Sequence, residues 1–156
     1  AFNSRQVEFI DYTSYIGRRV YCSSLCFLLC KAAKEKGLHT CMDTSLYAPP
    51  AAIAAMLPYV DMWLPDYKAE DDALHVKYTG VSNRVIKKNL ERLIAAKAKI
   101  EVRCLSVPTC TDGADLAARH RYLNSIGILE SAIVDLKYYD YARSKYLALG
   151  MKDTMP

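Results

Sequence analysis

The sequence predicts an α/β protein in which parallel strands are joined by helices. Two observations predict this fold class. Apolar stripes with helical spacing alternate along the chain with short runs in which apolar and polar residues alternate. Gly37, Gly127 and Gly150 follow the ends of three helical stretches. Such alternation implies a parallel sheet with right-handed crossovers, and four strands are too few for a closed eight-stranded barrel.

The order of the predicted elements is helix and strand in strict alternation. The strands are expected at 38–44, 59–68, 99–107 and 131–138. The helices are expected at 25–36 and 49–57, in a stretch that Ser82 can cap, in a stretch after residue 113, and at 140–149. Residues 1–24 show neither periodicity. They are therefore expected to form an irregular segment, followed by one domain over residues 25–156.

The composition is that of an ordinary globular domain or part of a larger one. The chain has 156 residues, of which 52% are hydrophobic and 24% charged, and its net charge is +4. Lys and Arg are interspersed with Asp and Glu, which argues against a nucleic-acid site. No apolar run approaches the roughly 20 residues of a membrane span, and no secretory signal is visible, so the expected location is the cytoplasm. The first residue is Ala, so a fragment or a processed product is expected.

Six cysteines in a chain without a secretory signal are more typical of buried thiols or metal ligands than of disulfides. Cys22, Cys26 and Cys30 are spaced four residues apart. On a helix this spacing places them along one stripe, which differs from a loop that binds an iron–sulfur cluster. We therefore expect buried thiols on a core helix.

Polar side chains fall at the ends of three predicted strands. Asp43 and Thr44 end the first strand, Asp66 and Lys68 end the second, and Tyr138 and Tyr139 end the fourth, while Arg103 lies within the third. Asp66 and Lys68 are two residues apart, so on an extended chain their side chains point the same way. In a parallel sheet all these residues face one rim, and such rims are where α/β proteins hold ligands.

This rim suits a zwitterionic or anionic ligand, because it offers carboxylates together with a lysine and an arginine. Tyr138 and Tyr139 would join it from the end of the fourth strand. The alternative interpretation is structural: Asp66 and Lys68 would form only a surface ion pair at a strand end. Spacing alone does not decide between the two.

Five segments, in order and in spacing, resemble motifs of the activating enzymes of glycyl radical enzymes, the pyruvate formate-lyase activating enzyme type. The resemblance covers residues 25–156. The segments are 37–44 (GLHTCMDT, family GIHTCLDT), 66–68 (DYK, family DLK), 75–83 (H-x4-GVSN), 103–108 (R-x3-VP, followed by Thr109 where the family has Gly) and 145–150 (KYLALG, family KW-x-x-MG).

The resemblance implies a radical S-adenosylmethionine enzyme on a partial (β/α) barrel, here lacking its N-terminal part. In that family a [4Fe–4S] cluster reduces S-adenosylmethionine and releases a 5′-deoxyadenosyl radical, which removes a hydrogen atom from a backbone glycine of a partner protein. The implied partners are a glycyl radical enzyme similar to pyruvate formate-lyase, as protein substrate, and a reductant of flavodoxin or ferredoxin type. No nucleic acid and no membrane are implied.

The resemblance also implies roles for the rim residues. Asp43, Thr44 and Asp66 would lie near the carboxylate of the methionine part of the cofactor and near a monovalent cation bound there. Lys68 would donate a hydrogen bond to the cofactor, and Arg103 would line the pocket.

Three departures from the family pattern concern the cluster and the cofactor. The family's C-x3-C-x2-C motif is absent from this chain. Its GGEP strand end is replaced by Gly-Arg-Arg-Val at 17–20, and a family histidine near the adenine is replaced by Tyr139. We therefore expect a fragment that is inactive alone and whose residues 1–24 are truncated or misread. The alternatives are a degenerate, non-catalytic domain of the same fold and an unrelated α/β binding domain.

Overall fold

A computed structural model of the chain describes residues 13–141 and 143–152. The chain divides into two compact units, Ala1–Thr40 and Cys41–Pro156. Each unit is described by itself below. All of the predicted rim residues belong to the second unit.

The described part of the first unit is dominated by one long helix, α1 (Tyr15–Glu35). The Ser14 hydroxyl caps it by accepting a 3.0 Å hydrogen bond from the Gly17 amide. The expectation of irregular structure up to residue 24 is therefore wrong for residues 15–24, and the helix begins ten residues before its predicted start at Leu25. The reason is that the apolar stripe begins only at Leu25, so only the capping serine marks the true start. Residues 1–12 lie outside the described part.

The cysteines of α1 lie on a helix as predicted, but their burial differs from the prediction. Cys22 and Cys26 are exposed, and Cys30 is half-buried. Leu28 and Leu29 are each 59% exposed, so the apolar stripe is not a core face. Partial burial raises the pKa of the Cys30 thiol, and the neighbouring Cys26 adds to the shift.

Among its described residues, the second unit contains four parallel strands. They are β1 (Cys41–Thr44), β2 (Met62–Pro65), β3 (Val102–Ser106) and β4 (Ile133–Lys137). β1 pairs with β2, and β3 pairs with β4, both in parallel. Each strand is shorter than its predicted run because the flanking residues leave the ladder. The predicted α/β class with parallel strands is confirmed.

Isolated parallel bridges join β2 to β3, so the four strands lie in the order β1-β2-β3-β4. The Trp63 amide donates to the Lys99 carbonyl and the Glu101 amide donates to the Trp63 carbonyl, each over 2.9 Å. Farther along, the Tyr67 amide donates to the Arg103 carbonyl over 2.9 Å. The carboxyl end of β2 is thereby held beside the first residues of β3.

In the described part of this unit, five helices accompany the strands. They are α2 (Pro50–Met56), α3 (Asp72–Thr79), α4 (Arg84–Ala95), α5 (Gly113–Ser125) and α6 (Arg143–Ala148). Short 3-10 turns at Leu57–Tyr59 and Glu130–Ala132 lead into β2 and β4. Over the described residues, we find no helix with the length and apolar character needed to cross a membrane.

Helix α3 was not predicted. Asp71 caps it by accepting a 2.8 Å hydrogen bond from the Leu74 amide, and Gly80 ends it with a φ of +79° that favours glycine. No apolar stripe marks this helix, since Val76 and Tyr78 are exposed. In the sequence, only the capping Asp71 and the terminal Gly80 indicate helix α3.

The start of α4 differs slightly from the prediction. Asn83 occupies the N-cap position, and the predicted cap residue Ser82 lies one residue earlier. The Ser82 hydroxyl accepts from the Arg84 amide at 3.2 Å and donates to Asp72 Oδ1 at 2.7 Å. Ser82 therefore links the ends of α3 and α4 in addition to supporting the first turn of α4.

The core of the second unit lies between the strands and the apolar faces of α4 and α5. On α4, Ile86, Leu90 and Leu93 are at most 2% exposed, whereas Val85 of the same apolar stripe is 37% exposed. Truncation of such a leucine typically costs about 2–5 kcal/mol. The core cluster consists of Leu46, Ile53, Val60, Trp63, Tyr67, Ile86, Leu90, Leu93, Val102, Cys104, Leu123 and Ile128.

Candidate functional site

Four of the predicted rim residues form one continuous cluster of charges, which we call the rim cluster: Asp43, Asp66, Lys68 and Arg103. Arg103 Nε donates to Asp66 Oδ1 over 3.0 Å, and the terminal Nη2 lies 2.8 Å from the same oxygen. The same terminal nitrogen also donates to Asp43 Oδ1. Lys68 Nζ donates to Asp66 Oδ2 over 3.0 Å. Asp66 is thus shared by both cations.

The strand register brings these side chains together. Asp43 is paired with Leu64 across β1 and β2, and the Asp66 amide donates to the Thr44 carbonyl over 2.9 Å. Asp66 is bridged to Arg103 on the other side. The prediction from period-two spacing, that Asp66 and Lys68 share one side, is confirmed.

Exposure differs among the four side chains and decides how strongly they interact. Asp43 is 66% exposed, Lys68 40%, Asp66 31% and Arg103 21%. Water therefore screens Asp43 most and Arg103 least. Partial burial works against the charge of Arg103, but the hydrogen bonds to Asp43 and Asp66 outweigh it, and the pKa of the guanidinium is raised.

Thr44 and Tyr139 stand apart from the charge cluster. The Thr44 hydroxyl accepts a 3.0 Å hydrogen bond from the Leu46 amide, which shapes the loop after β1. Tyr139 follows β4, is 61% exposed and stacks on Tyr141, with ring centroids 5.5 Å apart and planes 18° apart. The Thr44 backbone thus lies next to Asp66, whereas Tyr139 lies after the end of β4, the strand that pairs with β3.

Two pockets open near these strand ends and share Leu105 in their walls. One, of about 200 Å³, is lined by Lys68, by the α3 residues Leu74 and His75, and by Val107 after β3. The other, of about 540 Å³, has a different lining, since charged and aromatic side chains predominate there. These are Asp135, Lys137, Tyr138, Tyr139 and Tyr141.

Sequence reasoning missed a set of buried amides that support the rim. Asn83, 1% exposed, donates to the Ala69 and Glu70 carbonyls over 3.1 and 2.8 Å. Asn89, fully buried, donates to the Leu46 and Ala48 carbonyls, each over 2.9 Å. The sequence signal that could have revealed Asn89 is its position as a polar residue next to the apolar stripe of α4.

A second missed set lies on α5. Asp115 and Arg119 form an ion pair four residues apart, with Arg119 Nε 3.0 Å from Asp115 Oδ2 and the arginine side chain fully buried. Their partners are backbone groups near the ends of β2 and β3. In the sequence this pair has the same spacing as an ordinary surface ion pair of a helix.

The described residues do not fit a [4Fe–4S] cluster. Within 13–141 and 143–152 we find no group of three or more His, Cys, Asp or Glu side chains that could hold a metal ion. Cys22, Cys26 and Cys30 follow one another along α1, whereas cluster ligands must converge on one point.

Comparison with known proteins points to one kind of enzyme. No family model matches the chain. It is 34% identical over 125 residues to the (2S)-3-sulfopropanediol dehydratase activating enzyme of Klebsiella oxytoca, covering 79% of this chain and 39% of that protein. It is 30% identical over 125 residues to the pyruvate formate-lyase 1-activating enzyme of Escherichia coli, covering 77% of this chain and 50% of that protein. The chain thus spans half the length, or less, of these relatives.

Solved structures agree with the fold. A domain of a pyruvate-formate lyase-activating enzyme from Bacteroides vulgatus superposes with a TM-score of 0.69 at 20% identity, covering 87% of this chain and 92% of that one. Streptococcus suis SuiB bound to S-adenosylmethionine superposes with a TM-score of 0.58 at 15% identity, covering 80% of this chain and 30% of that one. These likenesses support the predicted partial (β/α) barrel.

Proposed function

Since the chain is homologous to the activating enzymes of glycyl radical enzymes, we propose that it carries the cofactor-holding part of such an enzyme. The proposed ligand of the rim cluster is S-adenosylmethionine. The observation that carries the proposal is the convergence of Asp43 near the end of β1, Asp66 and Lys68 directly after β2, and Arg103 near the start of β3. Their charges match a ligand that bears a carboxylate, an ammonium and a sulfonium.

The bound cofactor would supply an adenosyl group on a positively charged sulfur, and the residues of this chain would hold it. We assign Lys68 as a hydrogen-bond donor to the cofactor and Arg103 to the wall of the proposed cofactor site. Asp43, Thr44 and Asp66 are assigned to the neighbourhood of the methionine carboxylate. The carboxylates of Asp43, Asp66 and the ligand would repel one another unless positive charge lies between them. Arg103 supplies such a charge, and a bound monovalent cation would add a second one.

Tyr139 is proposed to face the adenine. Its ring stacks on Tyr141 beside the pocket of about 540 Å³, so this pair offers an aromatic surface at the end of β4. A flat heterocycle packs well against such a surface. The replacement of the family histidine by Tyr139 keeps an aromatic ring at this position.

For the whole enzyme we propose the family reaction, in which a 5′-deoxyadenosyl radical removes a hydrogen atom from a backbone glycine of a glycyl radical enzyme. A reductant of flavodoxin or ferredoxin type and a cytoplasmic location belong to the same proposal. The described residues do not fit the [4Fe–4S] cluster, so we assign them cofactor binding and no part in the electron transfer. By itself the chain is proposed to be inactive.

Calorimetric titration of the full chain with S-adenosylmethionine tests the proposal. We expect saturable binding that weakens at least tenfold in Lys68→Met, since a hydrogen bond to a charged group is worth about 1.5–3 kcal/mol. The matched control is Lys88→Met on the exposed face of α4, which should bind as the wild type does. Absence of binding by the folded wild-type chain would overturn the proposal.

The second candidate is a non-catalytic domain of the same fold, favoured by the missing cluster motif. Both candidates predict a chain that holds no four-iron cluster, so the titration with S-adenosylmethionine separates them. Saturable binding supports the cofactor-holding part, and no binding by the folded chain supports the non-catalytic domain. A stable four-iron cluster after anaerobic reconstitution would exclude the non-catalytic domain.

A further inference from the structure

Arg119 on α5 is fully buried and binds three backbone carbonyls from separate segments. Its Nη1 donates to the Tyr67 and Leu105 carbonyls, each over 3.0 Å. Its Nη2 donates to the Thr111 carbonyl in the loop after β3. One guanidinium therefore joins the ends of β2 and β3 to the loop that leads into α5.

Asp115 completes the arrangement one helical turn earlier. Asp115 Oδ2 lies 3.0 Å from Arg119 Nε. Its other oxygen, Oδ1, accepts hydrogen bonds from the Glu70 and Asp71 amides over 2.9 and 3.2 Å. The carboxylate thus neutralises the buried arginine and also holds the segment that follows Lys68.

The anchored backbone groups flank the rim cluster. Tyr67 lies between Asp66 and Lys68 in the sequence, and Leu105 lies two residues after Arg103. The Tyr67 amide also donates to the Arg103 carbonyl over 2.9 Å. A shift of the Tyr67 or Leu105 carbonyl would therefore be passed directly to the bases of the rim side chains.

We propose that Arg119, oriented by Asp115, is a positioning residue that sets the spacing between the ends of β2 and β3 and thereby places Lys68 and Arg103 for the ligand. The inference rests on the proposed function, because the ligand is S-adenosylmethionine. It assigns to α5 a role in the site although neither residue belongs to the rim cluster.

The shape of the arginine side chain explains why this position carries a buried charge. Stability alone is a poor reason, because a buried ion pair is often no more stabilising than apolar residues of similar volume. Arginine has five donors in a rigid planar fork, so it can bind carbonyls of several segments at fixed angles. A lysine at position 119 would keep the charge but not that fork.

Nitrogen-15 NMR of the full chain tests positioning without any ligand. The substitutions are Arg119→Lys and Arg119→Met, and the matched controls are Arg121→Lys and Arg121→Met at the exposed neighbouring arginine. The readout is the Arg103 Nε–H signal, assigned by its loss in Arg103→Lys. In variants that keep the far-ultraviolet circular dichroism of the wild type, we expect this signal to shift and to exchange with water at least tenfold faster.

Calorimetric titration with S-adenosylmethionine then measures the consequence. We expect the dissociation constant to rise at least tenfold in Arg119→Lys and to stay within twofold in both Arg121 variants. If the wild-type chain does not bind, the proposed function fails, and the Arg103 signal still decides whether Arg119 positions the rim. An unchanged Arg103 signal in folded Arg119→Lys would overturn the inference.

If both Arg119 variants fail to fold, Asp115→Asn takes their place. Asparagine keeps an acceptor for the Glu70 and Asp71 amides but removes the charge that orients Arg119. We expect the Arg103 signal to shift in the same direction by a smaller amount. Wild-type position and exchange rate in folded Asp115→Asn would overturn the inference.

Discussion

Arg103 Nε donates a 3.0 Å hydrogen bond to Asp66 Oδ1 across a sequence separation of 37 residues. The parallel bridge between the same two residues and the 2.9 Å bond from the Tyr67 amide to the Arg103 carbonyl support this contact from the backbone. A side-chain contact and a backbone bridge therefore coincide at one pair. Substitution of Arg103 therefore tests whether its side chain serves ligand affinity or the stability of the fold.

Arg103→Met is expected to weaken binding of S-adenosylmethionine about tenfold or more, because a charged donor is lost. The same substitution should lower the free energy of unfolding by no more than about 1 kcal/mol, since the ion pairs are partly solvated. Calorimetry measures the first quantity and urea unfolding the second. Arg121→Met, on the exposed face of α5, is the control for both. Loss of several kcal/mol of stability with unchanged affinity would contradict the assignment.

His120 predicts a pH-dependent contribution to stability. It lies between Glu130 Oε1 at 2.7 Å and Asp135 Oδ1 at 2.8 Å. The pKa of His120 is raised, chiefly by the hydrogen bond to Asp135. Partial burial acts in the opposite direction, and the hydrogen bond to Glu130 raises the pKa further. Its stabilisation is therefore fully present below the unfolded-state pKa of about 6.5 and is lost as the pH rises through the raised folded-state pKa.

The measurement is urea unfolding of wild type and His120→Gln at about pH 6 and about pH 9, chosen to bracket that window. The difference in the free energy of unfolding between the two proteins should be larger at the lower pH. His39→Gln, at an exposed histidine, should show no such trend. A difference that grows as the pH rises would refute the proposed protonated pair.

The cysteines predict two classes of thiol reactivity. Burial raises the pKa of the Cys104 thiol to about 11, whereas Cys22 and Cys26 are exposed. Because the thiolate is the reactive species, Cys104 should resist alkylation in the native chain and react only on unfolding. Timed iodoacetamide labelling with peptide mass analysis measures this. Modification of Cys104 as fast as Cys22 in the native state would show that β3 is not buried as described.

Asn89→Ala is expected to destabilise the second unit by about 1–3 kcal/mol, because it leaves the buried Leu46 carbonyl and the partly buried Ala48 carbonyl without their donor. Urea unfolding measures the effect. Lys88→Ala is the matched control, since Lys88 is the exposed neighbour of Asn89 on α4. Equal stability of the two variants would mean that Asn89 does not hold the loop after β1.

Only the part of the site that depends on the periodicity of a single strand could be predicted from the sequence. Asp66 and Lys68 point the same way because strand side chains alternate. Asp43 lies near the carboxyl end of β1, whereas Arg103 lies near the start of β3 and meets Asp66 because the register pairs these two residues. Which charges would contact each other depends on the pairing of β2 with β3, which no local pattern encodes.

The supporting residues escaped prediction for related reasons. Asp115 and Arg119 have the spacing of a solvated ion pair, and only the packing of α5 against the strands buries them. Helix α3 buries little apolar surface, so it has no stripe to detect. The first turns of α1 likewise show only the capping Ser14.

The order of the strands has a consequence for how folding and binding are coupled. Asp43 lies in β1, Asp66 directly follows β2 and Arg103 lies in β3, so the rim cluster exists only in molecules in which all three strands have docked. A ligand of the cluster therefore selects the fully assembled sheet from any partly opened form. At a free concentration of 100 times its dissociation constant it would add about 2.7 kcal/mol to the stability of that assembly. The concentration of the cofactor would then determine the stability of the folded chain as well as the fraction of chains that hold a cofactor.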